Sequence, residues 1–324
     1  MMDIALILFV TLFVLIALNV PIAMSLGLAS LTTLFFLDMP FSMYPRMVET
    51  SIGKYELLAI PFFIMGGIIM NEAGISKRLI NPAKFIVGDR LCGLAIVDVC
   101  STVFFSSVAG SGPATVAAVG TLLIPTMVAH GYRKDFASAL VSSGGGIGIV
   151  IPPSVAFVIY GVVAEVSISD LFLAGIIPGL LMGVAIGIAA YIISIKRNYV
   201  GEPRQGGRRE FLKLFIDALW GLAMPVIVLG GIYGGIFTPT EAAGVAALYG
   251  ILVGTFVYRE LTLKKLYNVF VVSGITSATV MIISANAGVF SWVITTQGFA
   301  SAITDFTLSL TNNGTIIIIA ILIL

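Results

Sequence analysis

Apolar residues in this chain fall in long blocks, without the two-residue alternation of half-buried strands, and short charged clusters punctuate them. Residues 4–37 carry no Asp, Glu, Lys or Arg over 34 positions, but Asn19-Val20-Pro21 interrupts them. Proline disfavours helical geometry in the residue before it, so this block predicts two short spanning helices, roughly 4–18 and 21–37. Residues 38–56 mix charges, prolines and aromatics and predict an interfacial arm along a membrane surface. Residues 57–71 predict a third, short crossing. Residues 99–132 again lack charge over 34 positions, which as one helix would reach about 50 Å, well past the ~30 Å hydrocarbon core of a bilayer. Gly110-Ser111-Gly112-Pro113 lies near the middle of that block, so it must fold back on itself as a helical hairpin.

Residues 136–164 are uncharged for 29 positions and contain Ser142-Ser143-Gly144-Gly145-Gly146-Ile147-Gly148-Ile149-Val150-Ile151-Pro152-Pro153-Ser154. The glycines and the proline pair predict two half-helices flanking an unwound middle. Irregular backbone at membrane depth is tolerated where it lines a cavity or is buried in protein. Further crossings are predicted at 171–195, 218–237 and 242–258, with a turn at Thr238-Pro239-Thr240-Glu241. Residues 266–304 are uncharged over 39 positions and predict another break at Ala285-Asn286-Ala287-Gly288. The last apolar run, 315–324, is half the ~20 residues a span needs, so the chain is expected to stop inside a helix.

Charge orients these crossings. Residues 71–90 hold Lys77, Arg78, Lys84 and Arg90 against Glu72 and Asp89, and the break after residue 132 holds Arg133 and Lys134. Residues 196–217 hold six basic residues against three acidic ones. All three read as cytoplasmic, whereas residues 165–170, without Lys or Arg, read as periplasmic. Both ends of 91–132 then lie on one side, as a re-entrant hairpin requires. Pro21-Ile22-Ala23-Met24-Ser25-Leu26-Gly27-Leu28-Ala29-Ser30-Leu31 is similar to Pro239-Thr240-Glu241-Ala242-Ala243-Gly244-Val245-Ala246-Ala247-Leu248 with one gap, and the count of crossings gives the two opposite directions. That is the plan of an inverted-repeat secondary transporter. Residues 1–90 are its first-repeat scaffold helices and interfacial arm, 91–170 the first-repeat transport element, 171–217 a connecting helix and cytoplasmic loop, and 218–324 an incomplete second-repeat scaffold.

Composition agrees with this plan. Of 324 residues, 59% are hydrophobic and 10% charged, and the mean hydropathy is +1.11. One globular core cannot hide that much apolar surface, and long unalternating runs favour helices over a barrel: an all-α polytopic membrane protein. A formal net charge of +1 leaves no basic face for a nucleic-acid partner. Cys92 and Cys100 read as small buried apolar residues, not as a disulfide or metal site. His130 is the only histidine, so neither a His-rich zinc site nor a Ser-His-Asp triad is expected. A membrane hydrolase would have to use Ser107 or Ser111 with only Asp98 nearby, so no enzyme is expected. The first run lacks a basic lead-in and a small-residue cleavage site, so a removed signal peptide is not expected either.

The two breaks carry the candidate chemistry. A sodium ion takes hard oxygen ligands, and carbonyls released from helical bonding, with Ser and Thr hydroxyls, supply them at membrane depth. A sodium site is expected where the breaks meet, from Ser107, Gly110, Ser111, Gly144, Gly145 and Gly146. Ser106, Pro113, Thr115, Pro153 and Ser154 are the candidate substrate residues, because half-helix N-termini near Pro113 and Pro153 suit an anionic carboxylate. The competing reading is that small residues merely let helices pack closely. Asp98 reads either as functional or as a residue near the cytoplasmic interface or paired with an amide dipole. Glu241 reads as a helix cap, Glu165 and Asp170 as solvated loop charges, and Phe35, Phe36, Phe41, Tyr44 and Tyr55 as an interface belt.

Three motifs carry a resemblance: Ala109-Gly110-Ser111-Gly112-Pro113-Ala114-Thr115-Val116-Ala117-Ala118-Val119-Gly120, Gly146-Ile147-Gly148-Ile149-Val150-Ile151-Pro152-Pro153-Ser154, and Asp170-Leu171-Phe172-Leu173-Ala174-Gly175-Ile176-Ile177-Pro178-Gly179. With Asn19-Val20-Pro21-Ile22-Ala23 and Phe237-Thr238-Pro239-Thr240-Glu241-Ala242-Ala243, the chain resembles the large, DctM-type permease subunit of TRAP transporters. The resemblance implies a bacterial inner-membrane protein with a small four-helix, DctQ-type membrane subunit and a periplasmic, DctP-type binding protein that delivers an organic acid. It also implies sodium as the coupling ion, no other cofactor, and an elevator motion of the hairpin-bearing domain. Members of that family are usually about a hundred residues longer, with a second hairpin and a second broken helix that this sequence lacks, so a second sodium position is not assigned. A stand-alone sodium-coupled dicarboxylate or citrate symporter is the alternative. The substrate, whether a C4-dicarboxylate, sialic acid or another organic acid, is not legible in this subunit.

Overall fold

The computed structural model describes residues 2–87, 92–201, 207–310, 314–315 and 317–318. Among them every regular element is helical. In chain order these are α1 (Met2–Ala17), α2 (Ile22–Phe36), α3 (Met43–Ile52), a 3-10 turn (Tyr55–Leu58), α4 (Ala59–Glu72), α5 (Ile75–Val87), α6 (Gly93–Ala109), α7 (Gly112–Ala129), α8 (Lys134–Val150), α9 (Val155–Ala164), α10 (Ile168–Lys196), α11 (Arg208–Tyr233), α12 (Pro239–Leu252) continued by a π segment (Val253–Val257), α13 (Leu263–Thr296) and α14 (Phe299–Leu310). Seven helical stretches among the described residues are long and apolar enough to cross a membrane. By contact the chain divides into two compact units, residues 1–54 with 278–324 and residues 55–277.

In the first unit, Pro21 stands in extended geometry before α2, so the break predicted there is present. Leu8, Leu12, Ala29 and Val293 form its buried apolar cluster. The short α3 buries none of its residues. The predicted break at 285–288 is absent, because α13 runs straight through it. Alanine is the best helix former, and Asn286 returns its amide to the Ile282 carbonyl at 2.9 Å while accepting a hydrogen bond from the Tyr44 hydroxyl. The expectation that the chain stops inside a helix falls on residues 315–324, of which 316 and 319–324 lie outside the described residues.

The second unit is built around the α6–α7 hairpin. Both ends of the hairpin come to one end of the unit: Leu94 and Ala95 of α6, Met127 of α7, and Tyr132, Phe136 and Tyr199 share one buried cluster. Tyr132 and Tyr199 stack at 4.2 Å, and the Tyr199 carbonyl accepts from the Cys92 amide at 3.1 Å. Tyr199 thus ties the end of α10 to the base of the hairpin.

Four expectations need correction here. Residues 75–87, read as a polar cytoplasmic loop, form α5, whose Ile75, Leu79, Ile80 and Phe85 make a buried face between its charges; residues 88–91 lie outside the described set. Residues 208–217, read as loop, already belong to α11, while 202–206 are outside the described set. Residues 142–150, read as unwound, are the continuous second half of α8, and the chain leaves helical geometry only from Ile151 to Ser154. Cys100, read as buried, is exposed on α6, whereas Cys92 is buried; neither is in a disulfide. Glu241 does cap its helix: Thr238 and Glu241 form a reciprocal capping box at the start of α12.

Candidate functional site

The hairpin turns at Gly110, whose φ of +61° is a left-handed conformation that a glycine adopts without penalty. Ser111 is extended, and Pro113 then starts α7 where a missing amide hydrogen costs nothing. The break after α8 follows from Pro152 and Pro153. Neither has an amide hydrogen, so the carbonyls of Gly148 and Ile149 lose the donors that would continue the helix. The Ile149 carbonyl is taken up by the Ser154 hydroxyl at 2.5 Å, and the same oxygen caps α9 by accepting from the Phe157 amide at 3.3 Å. The Gly148 carbonyl has no such helical donor.

These two breaks meet. The Val155 amide donates to the Gly110 carbonyl at 3.0 Å, and a Cβ on Gly110 would stand 2.7 Å from the Pro153 oxygen. One turn back along α8 the contact continues through Gly148, where a Cβ would lie 2.7 Å from Thr115 Oγ1, 3.3 Å from Ser106 Oγ and 3.3 Å from the Gly112 Cα. Gly145 follows, with a Cβ position 2.4 Å from Val116 Cγ2, and Gly112 faces the Gly145 carbonyl. Ser106, Thr115 and Ser154 are fully buried. The Ser106 hydroxyl has no hydrogen-bond partner among the described residues, while Thr115 donates to the Ser111 carbonyl at 2.9 Å.

Of the sequence-predicted residues, Ser106, Gly110, Thr115, Gly145, Pro153 and Ser154 therefore belong to one contact. Ser111 contributes its carbonyl, which already accepts from both the amide and the hydroxyl of Thr115. Gly144 lies further down, against the Thr102 side chain. Gly146 looks toward Met182 of α10, and the Ser107 hydroxyl turns back onto the Phe104 carbonyl at 2.6 Å, so neither joins the contact. Because 144–146 are helical, their carbonyls are not released in the way an unwound middle would release them. Pro113 is exposed and lines an open groove of about 480 Å³ with Val116, Ala117, Ser142, Gly146 and Ile149.

Sequence reasoning missed Gly148, the glycine nearest two hydroxyls. Its signal was present in the Gly-x-Gly spacing four residues before Pro152, which marks the first carbonyl the proline pair strips of its donor. Asp98, read either as functional or as a residue near the cytoplasmic interface or paired with an amide dipole, is fully buried, and neither carboxylate oxygen has a hydrogen-bond partner among the described residues.

The description "Tripartite ATP-independent periplasmic transporter, DctM component" matches residues 9–324. The chain is 44% identical over 304 residues to an isethionate TRAP transporter permease protein, DctMQ, of Oleidesulfovibrio alaskensis, covering 94% of this chain and 48% of that protein. It is 44% identical over 291 residues to the C4-dicarboxylate TRAP transporter large permease protein DctM of Pseudomonas aeruginosa, covering 88% and 68% respectively. It is 39% identical over 270 residues to the sialic acid TRAP transporter large permease protein SiaM of Vibrio cholerae, covering 83% and 63%. The chain thus spans about half the length of the first relative and about two thirds of the others.

Proposed function

We propose a function from one premise: the chain belongs to the DctM component family of tripartite ATP-independent periplasmic transporters. It is the membrane permease subunit of a sodium-coupled importer in a bacterial inner membrane, and it takes a small organic anion delivered by a periplasmic binding protein. The observation that carries this reading is the seating of the hairpin tip on the 151–154 break, with the Gly110 carbonyl bonded to the Val155 amide. That contact collects what a cation and an anion each need. Buried hydroxyls at Ser106, Thr115 and Ser154 and a carbonyl at Gly148 without its helical donor supply hard oxygens. The N-terminal, positive dipole ends of α7 and α9 both lie at this contact.

The substrate class follows from the relatives, named for isethionate, C4-dicarboxylates and sialic acid, all organic anions. A DctQ-type small subunit is supported by the name DctMQ of a relative whose length is about twice that covered here. Translocation proceeds by an elevator motion of the hairpin-bearing element.

The test is uptake of radiolabelled succinate, sialic acid and isethionate into proteoliposomes holding the full complement of subunits, with sodium or potassium outside. Uptake of one of these anions in sodium and not in potassium is the expected result. Equal uptake in both cations overturns the sodium assignment, and uptake that needs no binding protein favours the stand-alone symporter instead.

A further inference from the structure

Below the tip, α6 carries a row of polar groups that the tip contact does not use. Asp98, Ser101 and Thr102 are 0%, 3% and 1% exposed. Neither carboxylate oxygen and neither hydroxyl has a hydrogen-bond partner among the described residues. Positions three and four apart on a helix are neighbours, so the three side chains share one face. The opposite face holds Cys100 and Phe104, both exposed. Thr102 Oγ1 lies 3.1 Å from where a Gly144 Cβ would stand, so the row is turned toward α8 at a position without a side chain. Asp98 precedes Gly110 by 12 residues, roughly 18 Å along a helix, which separates this level from the tip.

Many helical hydroxyls in this chain give their proton to a carbonyl four residues back, as those of Thr33, Thr115 and Thr126 do. Ser101 and Thr102 do not. A buried carboxylate ordinarily has a cation, an amide or a hydroxyl against it, because an isolated charge in a low-dielectric interior is strongly disfavoured. Neither oxygen of Asp98 is hydrogen-bonded to any such group among the described residues. Three unpartnered oxygen-bearing side chains on one buried face, one of them acidic, offer hard ligands and a single negative charge. That donor set suits a monovalent cation, whose charge it cancels.

We propose that Asp98, Ser101 and Thr102 form a sodium site in the stem of the hairpin, one level below the tip. The site rests on the sodium-coupled reading of the same permease. It binds the ion through the carboxylate of Asp98 and the lone pairs of the two hydroxyls, and the bound ion neutralises the buried carboxylate.

The experiment uses the complete transport system in proteoliposomes. The sodium-to-substrate ratio is measured from the opposing gradients at which net flux stops, and the half-saturating sodium concentration from uptake rates. Asp98→Asn is expected to lower the ratio by one ion. The double variant Ser101→Ala with Thr102→Val, which keeps the carboxylate, is expected to raise half-saturation severalfold. If Asp98→Asn does not assemble, the double variant decides. Wild-type sodium coupling with an unchanged ratio in Asp98→Asn, or with unchanged half-saturation in the double variant, overturns the stem site alone. A wild type indifferent to sodium overturns the coupling from which it starts.

Discussion

Ser106 separates a structural from a functional reading most cleanly at the scale of single residues. Its hydroxyl is fully buried and unpartnered, so in a merely packed contact it is a cost, and removing it is neutral or stabilising by about 1 kcal/mol. If it serves an ion or substrate, Ser106→Ala keeps its thermal stability and loses uptake. The expected result is that split, read by thermal unfolding of the purified permease beside a transport assay. Gly145→Ala should behave differently: a Cβ 2.4 Å from Val116 Cγ2 pushes α7 and α8 apart, at a cost of about 1–3 kcal/mol, and stability and uptake fall together. The hairpin turn was legible at this scale because Gly110 and Pro113 punctuate an otherwise uniform run. The unwound stretch at 142–150 was misread for a physical reason. A helical glycine is disfavoured by only about 1 kcal/mol, which close packing on Gly112 and Thr115 overrides, whereas a proline pair removes two donors outright.

Charges between elements work as clasps that sequence reading treated only as markers of sidedness. Arg78 of α5 bonds Asp217 of α11 at 3.1 Å and Glu260 at 2.7 Å, lies 3.9 Å over the Tyr258 ring, and donates to the Gly74 carbonyl at 3.1 Å. The Tyr258 hydroxyl in turn donates to the Asp217 carbonyl. With Arg78 largely buried and both acids half exposed, Arg78→Ala is expected to lower stability by about 1–3 kcal/mol. Arg78→Lys should recover only part of that, since an ammonium cannot serve two carboxylates and the ring in one plane. Unfolding curves of the two variants check both statements. α5 itself was missed because attention to Lys77, Arg78 and Lys84 hid the Ile75–Leu79–Ile80 face between them, a helical period visible in the same residues.

For the whole molecule, class and family were legible from the long apolar blocks and the spaced motifs, since lipid leaves an apolar chain little choice but helices. What the pattern could not supply was which of the interruptions survive packing. Those at Pro21, at Gly110 and at Pro152-Pro153 do, and the one at Asn286 does not. The survivors bring the hairpin tip onto the 151–154 break, and the central claim is that this contact and its open groove take the solute together with sodium. Pro113 of α7 and Ser142 of α8 are exposed and line that groove, while Leu173 of α10, 57% exposed, does not line it. The most direct measurement is the rate of maleimide labelling of Pro113→Cys, Ser142→Cys and Leu173→Cys, each in a Cys100→Ala background, since Cys92 is buried. Substrate with sodium is expected to slow labelling at both groove positions and leave Leu173→Cys unchanged, with no protection when potassium replaces sodium. Equal labelling of Pro113→Cys and Ser142→Cys with and without substrate and sodium would contradict the account.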